Sequence, residues 1–494
     1  MFPGETPKAA IAYDCRNNSE FFARTTAEIF SANGFQVYLF ESLRPTPLLS
    51  FTIRHYGCHT GVIITASHNP KEYNGYKVYW NDGAQIVAPH DKEIIKEVNS
   101  ISNVSDIKFN ADGNLIKIIG TEIDEIYTNT LASLSLSPDI NLKHKNLKIV
   151  YTPIHGAAVR LVPKTLHKFG FATVVTIPEQ NVIDGNFPTV DSPNPEEPAA
   201  LKLALDKAQE IDADIVMGTD PDGDRVGIGV KDNLGKFILL NGNQAATLLI
   251  YYLLTKYKEN GLFTGNEFIA KTIVTTDLLG SIAKDYGVNC YEVLTGFKYI
   301  ADKIRQLEGK EKFIAGAEES FGYLVSDFMR DKDGVLACAF FPEITAWAKE
   351  NGKTLYQLLL EIYVKYGLYK EKLVSITKKG KEGAEEIQAM MANYRANPTK
   401  QIGGAKVIRF IDYNAQEVMN FEDNKIAPVY LPKSDVLQFI TDDGTKVSMR
   451  PSGTEPKIKF YFGVKGSINF IAEYEKISKE LDSKINAIIE ELGL

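Results

Sequence analysis

The sequence predicts an α/β protein of three related units with mostly parallel sheets, closed by a separate α+β domain. Three observations carry that prediction. The first is size: 494 residues, 44% hydrophobic and 24% charged, supply apolar material for three or four domains. The second is the alternation, over the first two hundred residues, of short β-branched or apolar runs with longer helical patterns, which is the pattern of βαβ units. The third is a change of character in the last hundred residues, where four strand-like runs precede a terminal helix.

Taken in order, residues 11–13 open the first unit. Ser19 reads as the N-cap of a helix running to about residue 33, which Gly34 can end, and residues 35–40 and 61–65 follow as strands. The second unit runs from a strand at 147–151 through a helix after Ala157 to strands at 171–176 and 214–218. Residues 184–198, rich in Pro, Asn and Asp, read as a loop. A third unit has helical residues 244–257 and strands at 268–272 and 312–315. Strands at 406–410, 436–440, 447–450 and 458–462 make up the last domain.

Several function classes are excluded by composition. A net charge of −8 argues against a polyanion-binding surface, so a small substrate is expected rather than nucleic acid. Cys15, Cys58, Cys290 and Cys338 lie far apart without a C-x-x-C pair, which indicates neither a zinc ribbon nor a disulfide framework and suits a reducing cytoplasm. The seven histidines supply no zinc-protease pair. The amino terminus lacks the basic and apolar regions of a signal peptide, and the apolar run 245–254 is too short to span a bilayer.

Four loops carry chemistry. Thr65-Ala66-Ser67-His68-Asn69-Pro70 follows a predicted strand, where open α/β sheets place ligands. A serine held there can be a nucleophile or phosphate carrier, with His68 and Lys77 to move protons or offset charge; alone, a Ser-His pair reads as an ordinary N-cap or turn serine, and it is the other loops that overturn that reading. In Thr219-Asp220-Pro221-Asp222-Gly223-Asp224-Arg225 three carboxylates alternate, and Gly223 lets the backbone curl them toward one hard cation. A calcium EF-hand requires Gly at position six and Glu at twelve, where this chain has Arg225 and Lys231, so Mg²⁺ is expected, with a structural acidic turn as the alternative. In Gly316-Ala317-Glu318-Glu319-Ser320-Phe321-Gly322, Glu318 and Ser320 can face the same way from an extended segment and grip vicinal hydroxyls, and Thr295-Gly296-Phe297-Lys298 adds a polar loop with a lysine. Arg450-Pro451-Ser452-Gly453-Thr454-Glu455-Pro456-Lys457 gathers a guanidinium, two hydroxyls and a glycine-freed backbone N–H, the makings of a phosphate cradle.

In order and spacing these four loops resemble those of the α-D-phosphohexomutases, and the resemblance covers nearly the whole chain. The sugar loop, which continues as Phe321-Gly322-Tyr323 and Arg330-Asp331-Lys332-Asp333, looks most like the phosphoglucomutase and phosphopentomutase branch. The resemblance implies three α/β domains (1–120, 121–235, 236–370) and a carboxyl-terminal domain (371–494) of the TATA-binding-protein-like kind, around a deep cleft. It implies a phosphorylated Ser67; Mg²⁺ held by Asp220, Asp222 and Asp224 together with Ser67; and a transfer site lined by His68, Lys77 and Arg225. Lys298, Glu318 and Ser320 would read the sugar, and Arg450, Ser452, Gly453 and Thr454 would hold the phosphate not in transit.

One departure stands out. The family pattern begins with a further strand and helix and an arginine-bearing Gly-Thr-Ala-Gly-x-Arg-Gly-like loop, whereas this sequence opens at the next strand, so the first domain is expected to be shortened at its amino end. The function expected is a monomeric or homodimeric phosphoglucomutase, with glucose 1,6-bisphosphate as activator. The alternatives are a phosphomannomutase, a phosphopentomutase or a catalytically incomplete phosphosugar-binding homologue. A phosphoserine phosphatase-like hydrolase is the rival outside the mutases, but it has no use for separate sugar and distal phosphate loops.

Overall fold

The computed structural model describes residues 4–378, 380–453 and 456–494. Its first sheet contains β1 (Lys8–Tyr13), β2 (Gln36–Phe40), β3 (Thr60–Ile64), β4 (Tyr76–Trp80) and β5 (Ile116–Ile119), in the order β4-β3-β1-β2-β5. All neighbours are parallel except β4, which returns antiparallel to β3. Alternate residues of the central strands, Ile11 and Tyr13, Val37 and Leu39, Val62 and Ile64, pack with Ala23 and Ala27 of α1 (Ser19–Ala32). The two-residue period of strands and the four-residue spacing of the helix thus meet in one core. Ser19 is not the N-cap of α1: Asn18 takes that place in the left-handed region (φ 66°), and the buried Ser19 hydroxyl donates instead to Asp14 Oδ1 at 2.9 Å.

The second sheet has β6 (Ile149–Thr152), β7 (Val174–Thr176), β8 (Ile215–Thr219), β9 (Val226–Lys231) and β10 (Phe237–Leu240), in the order β10-β9-β8-β6-β7. It is mixed rather than mostly parallel: β6 is parallel to β7 and β8, while β9 and β10 form antiparallel hairpins that follow the acidic loop. The third sheet orders β11 (Glu267–Thr272), β12 (Asn289–Val293), β13 (Lys312–Ala317) and β14 (Tyr323–Val325) as β12-β11-β13-β14.

In the carboxyl-terminal α+β domain, β15 (Leu368–Thr377) pairs antiparallel with a long partner, Lys457–Gly466, from Leu368↔Gly466 to Thr377↔Lys457. The terminal helix, Tyr474–Glu491, buries Leu481, Ile485 and Ile488 at helical spacing. The chain forms two compact units. One holds the chain through Lys271 with Ala283–Tyr291 and Gly296–Leu358; the other holds Thr272–Ile282, Glu292–Thr295 and Leu359–Leu494.

Two registers place the site within the first unit. Tyr13 of β1 lies opposite Ile64 of the parallel β3, so the loops that follow both strands leave the sheet at the same carboxyl edge. Thr152 of β6 lies opposite Gly218 of β8, which does the same for the loops after Thr152 and Thr219.

Candidate active site

Ser67 sits in a tight turn just past β3, in the left-handed region at φ 51°, a conformation that costs a non-glycine residue energy and is held by its surroundings. Its N–H donates to Thr65 Oγ1 at 2.8 Å. The loop is braced from inside by Arg16, whose guanidinium is buried and donates to the carbonyls of Ser67 (2.6 Å), Asn69, Pro70 (2.8 Å) and Tyr73 (3.0 Å). The turn thereby aims the Ser67 hydroxyl at two partners: it donates to Asp220 Oδ2 at 2.7 Å and lies 3.1 Å from His68 Nδ1.

The acidic loop between β8 and β9 is buried. Asp220, Asp222 and Asp224 are each at most 1% exposed, and their carboxylate oxygens offer a set of ligand atoms within 4.8 Å of one another. Asp220 Oδ1 accepts the N–H groups of Asp224 (3.1 Å) and Arg225 (3.0 Å), so the loop is wrapped around its own first carboxylate. Gly223 adopts φ 66°, which permits that curl. Oδ1 of Asp222 and Oδ1 of Asp224 are buried with no hydrogen-bond partner among the described residues. Open, buried, anionic oxygens converging on one point are the donor set of a hard cation, so these residues fit a metal site.

Three basic side chains crowd the triad. Lys77 Nζ lies 2.9 Å from Asp222 Oδ2 and 4.0 Å from Asp224 Oδ2; Lys332 Nζ is 3.0 Å from Asp224 Oδ2; Arg225 Nε is 3.9 Å from Asp224 Oδ1. Burial and the neighbouring carboxylates push Asp220 up, whereas at Asp222 the effect of burial is overcome chiefly by Lys77, which holds the carboxyl below its ordinary range. Burial opposes the charge on Lys77 too, but Asp222 and Asp224 outweigh it and raise its pKa.

The sugar loop lies beside this cluster. β13 ends at Ala317, so Glu318 and Ser320 sit on a bend rather than on the expected extended segment, and Phe321 at φ 63° completes the turn. Glu318 is buried and accepts the Gly296 N–H at 3.0 Å, and burial pushes its carboxyl up to about 7. Ser320 is half-buried. An Arg225↔Gly322 bridge and a Val226 N–H to Phe321 carbonyl bond of 3.1 Å join the sugar loop to the acidic loop. Lys298 belongs to the first turn of a helix, Phe297–Leu307, not to a loop, and it lines a shallow surface pocket with Trp80 and His90. In the second unit Arg450 is the penultimate residue of a strand, Lys446–Pro451, opposite Lys459; Ser452 N–H donates to the Lys457 carbonyl at 2.7 Å; Gly453 is exposed. Thr454 lies outside the described residues.

The sequence matches the models of all four domains of the phosphoglucomutase/phosphomannomutase family: α/β/α domain I over residues 2–105, domain II over 125–235, domain III over 241–366 and the C-terminal domain over 377–474. The chain belongs to the phosphoglucomutase/phosphomannomutase family. Among its relatives, the phosphoglucomutase of Staphylococcus haemolyticus (strain JCSC1435) is 35% identical over 477 residues, covering 97% of this chain and 85% of its own. That of Staphylococcus aureus (strain USA300) is 34% identical over 487 residues, covering 98% and 85%. The fold is shared with the open form of Paramecium parafusin, a phosphoglucomutase, at a TM-score of 0.70 and 18% identity over 98% of this chain and 88% of that one. A Burkholderia thailandensis phosphoglucomutase/phosphomannomutase family protein gives 0.66 at 18% identity, over 98% and 89%.

Within this family frame, four residues lie at the site to which the sequence assigned no role. Arg16 braces the serine loop from the turn after β1; the only hint was that this turn shares an edge with Ser67. Thr46, at the start of α2 (Thr46–Tyr56), donates its hydroxyl to Asp222 Oδ2 at 3.0 Å and its N–H to the Asp222 carbonyl at 2.8 Å. Lys332, part of the Arg-Asp-Lys-Asp run, meets Asp224. Glu196, in the Pro-rich loop, accepts from Arg225 Nη1 at 2.8 Å. Among the described residues no helix is long and apolar enough to cross a membrane.

Proposed function

We propose that this protein is a phosphoglucomutase that interconverts glucose 1-phosphate and glucose 6-phosphate through a phosphoserine at Ser67, with glucose 1,6-bisphosphate as the intermediate that also primes the serine. The observation that carries the reading is the 2.7 Å hydrogen bond from Ser67 Oγ to Asp220 Oδ2, which joins a turn serine to a buried carboxylate triad 153 residues away. The names of the staphylococcal relatives support glucose as the sugar. The four free cysteines suit a cytoplasmic setting.

In the first half-reaction a sugar hydroxyl attacks the phosphorus on Ser67; the new O–P bond forms as the Oγ–P bond breaks, and the hydroxyl proton ends on Oγ. His68, with Nδ1 3.1 Å from Oγ, is placed to hold that proton in transit. Lys77, kept charged by Asp222 and Asp224, serves as a fixed positive charge beside the phosphoryl group, as do Lys332 and Arg225. Asp220, Asp222 and Asp224 would hold Mg²⁺, which when bound supplies neutralisation of charge on the phosphoryl oxygens. By the family resemblance, Glu318, Ser320 and Lys298 are the residues for the sugar, and Arg450, Ser452, Gly453 and Thr454 those for the phosphate not in transit. Reorientation of the bisphosphate then presents its other phosphate to Ser67, and the same chemistry runs in reverse.

The test is a coupled assay of glucose 6-phosphate formation from glucose 1-phosphate with Mg²⁺ and catalytic glucose 1,6-bisphosphate. Turnover faster than with mannose 1-phosphate or ribose 1-phosphate is expected. Equal or faster turnover of either alternative would overturn the assignment of glucose.

A further inference from the structure

Arg225 has two carboxylates to choose between. Its Nη1 donates to Glu196 Oε1 at 2.8 Å, while its Nε stands 3.9 Å from Asp224 Oδ1 and has no hydrogen-bond partner among the described residues. That Asp224 oxygen is itself buried and unpartnered among the described residues, one of the open atoms of the candidate cation site. A guanidinium and a carboxylate this close favour a forked pair, which would close Asp224 Oδ1 to a cation. We propose that Glu196 is a positioning residue that draws the Arg225 guanidinium outward, keeping Asp224 open to the metal and the rest of the guanidinium open to phosphoryl oxygens. The second half of this rests on the reading of Arg225 given above; the first half does not.

The local structure fixes both partners. The Arg225 backbone is pinned by its bridge to Gly322 and by the neighbouring Val226–Phe321 bond, so only its side chain can choose. Pro193 and Pro195 are buried, Asn194 Oδ1 accepts the Glu196 N–H at 3.1 Å, and the Asn194 carbonyl accepts the Glu197 N–H at 3.0 Å. The Pro195 carbonyl rests directly on β9: a Cβ at Gly227 would meet it at 2.4 Å. Gly227 is two residues beyond Arg225 along extended chain, so the loop sits on the face from which the arginine projects. The pair is largely buried, with side chains 19% and 28% exposed.

The experiment is calorimetric titration of the full-length protein with Mg²⁺ alone, for the parent, Glu196→Ala, Glu196→Gln, Arg225→Ala and Glu196→Ala/Arg225→Ala. Loss of Glu196 should weaken Mg²⁺ binding by about tenfold or more, in the range of outer-sphere metal-site changes. Glu196→Gln, which keeps a neutral acceptor, should fall between that variant and the parent. The double variant should recover affinity relative to Glu196→Ala, because the competitor for Asp224 is gone. Unchanged Mg²⁺ affinity in Glu196→Ala, or a double variant as weak as the single one, overturns the proposal; if Glu196→Ala does not fold, the same comparison with Glu196→Gln decides. Failure of the parent to turn over glucose 1-phosphate while this cycle holds would sink the mutase reading and leave the positioning role standing.

Discussion

Lys332 shows how much a single side chain carries. It is nearly buried, it pairs with an almost wholly buried Asp224, and burial, which opposes its charge, is outweighed by Asp224, Asp331 and Glu318. Lys332→Met removes the nearest cation from that carboxylate, leaving only the more distant Lys77 (4.0 Å) and Arg225 (3.9 Å), and should cost up to about 3 kcal/mol of stability, the scale of breaking a buried pair. Added Mg²⁺ should restore part of the loss in a thermal melt, and a loss that Mg²⁺ does not touch would count against a cation site at Asp224. Glu318 makes a second prediction. Because burial raises its folded pKa to about 7, above its ordinary 4.5, the folded state binds the proton more tightly, and stability from this group falls as pH rises from about 4.5 to about 7. Glu318→Gln should therefore gain in melting temperature relative to the parent across that window and show no further relative gain above it. Ser67 and the three aspartates were legible because their chemistry is written in contiguous motifs. Arg16 and Lys332 were not, since each acts on residues distant along the chain and nothing beside it in sequence announces the partner.

Elements position these side chains through close backbone approaches. The turn after β6 runs through Ile154 (φ 47°) and His155 (φ 64°), both in the left-handed region, and reaches the acidic loop at Gly156. Ala157 N–H donates to the Pro221 carbonyl at 2.8 Å, and a Cβ at Gly156 would lie 2.7 Å from Pro221 Cα. Gly156→Ala must push the acidic loop off its support; a loss of about 1–3 kcal/mol, as for overpacking, together with weakened Mg²⁺ binding is expected from melts and titration. Parent-like Mg²⁺ affinity would show that this turn does not set the triad. The central strands and the helix after them were legible from periodicity, but Ser19 was misplaced as a cap because its hydroxyl is claimed by Asp14, a contact made only once β1 is folded beside it. The mixed second sheet was likewise hidden, since no strand was read at residues 226–231 or 237–240, whose direction depends on the turns between them.

At the scale of the whole molecule, each compact unit has its own ties. In the first, buried Glu343 of the helix Gly334–Glu350 accepts from Ser135 Oγ, Leu136 N–H (2.9 Å), Asn141 Nδ2 (2.7 Å) and Tyr252 OH (2.8 Å). Glu343→Leu strands those donors and should destabilise by about 3 kcal/mol or more. In the second unit Lys446 Nζ reaches Asp277 Oδ1 at 2.6 Å, and Gln438 Nε2 donates to the Ile273 carbonyl at 3.1 Å. The sequence pattern pointed to three α/β units and a terminal domain, and four main sheets are present among the described residues. That residues 272–282 and 292–295 pack with the terminal domain was invisible, because it rests on long-range side-chain pairs rather than on any local pattern. The central claim, that Ser67 carries the phosphoryl group, is tested most directly by intact-protein mass before and after incubation with glucose 1,6-bisphosphate and Mg²⁺, for the parent and Ser67→Ala. The account predicts one added phosphoryl group on the parent and none on the variant; an equal gain on both, or none on a parent that turns over substrate, would contradict it.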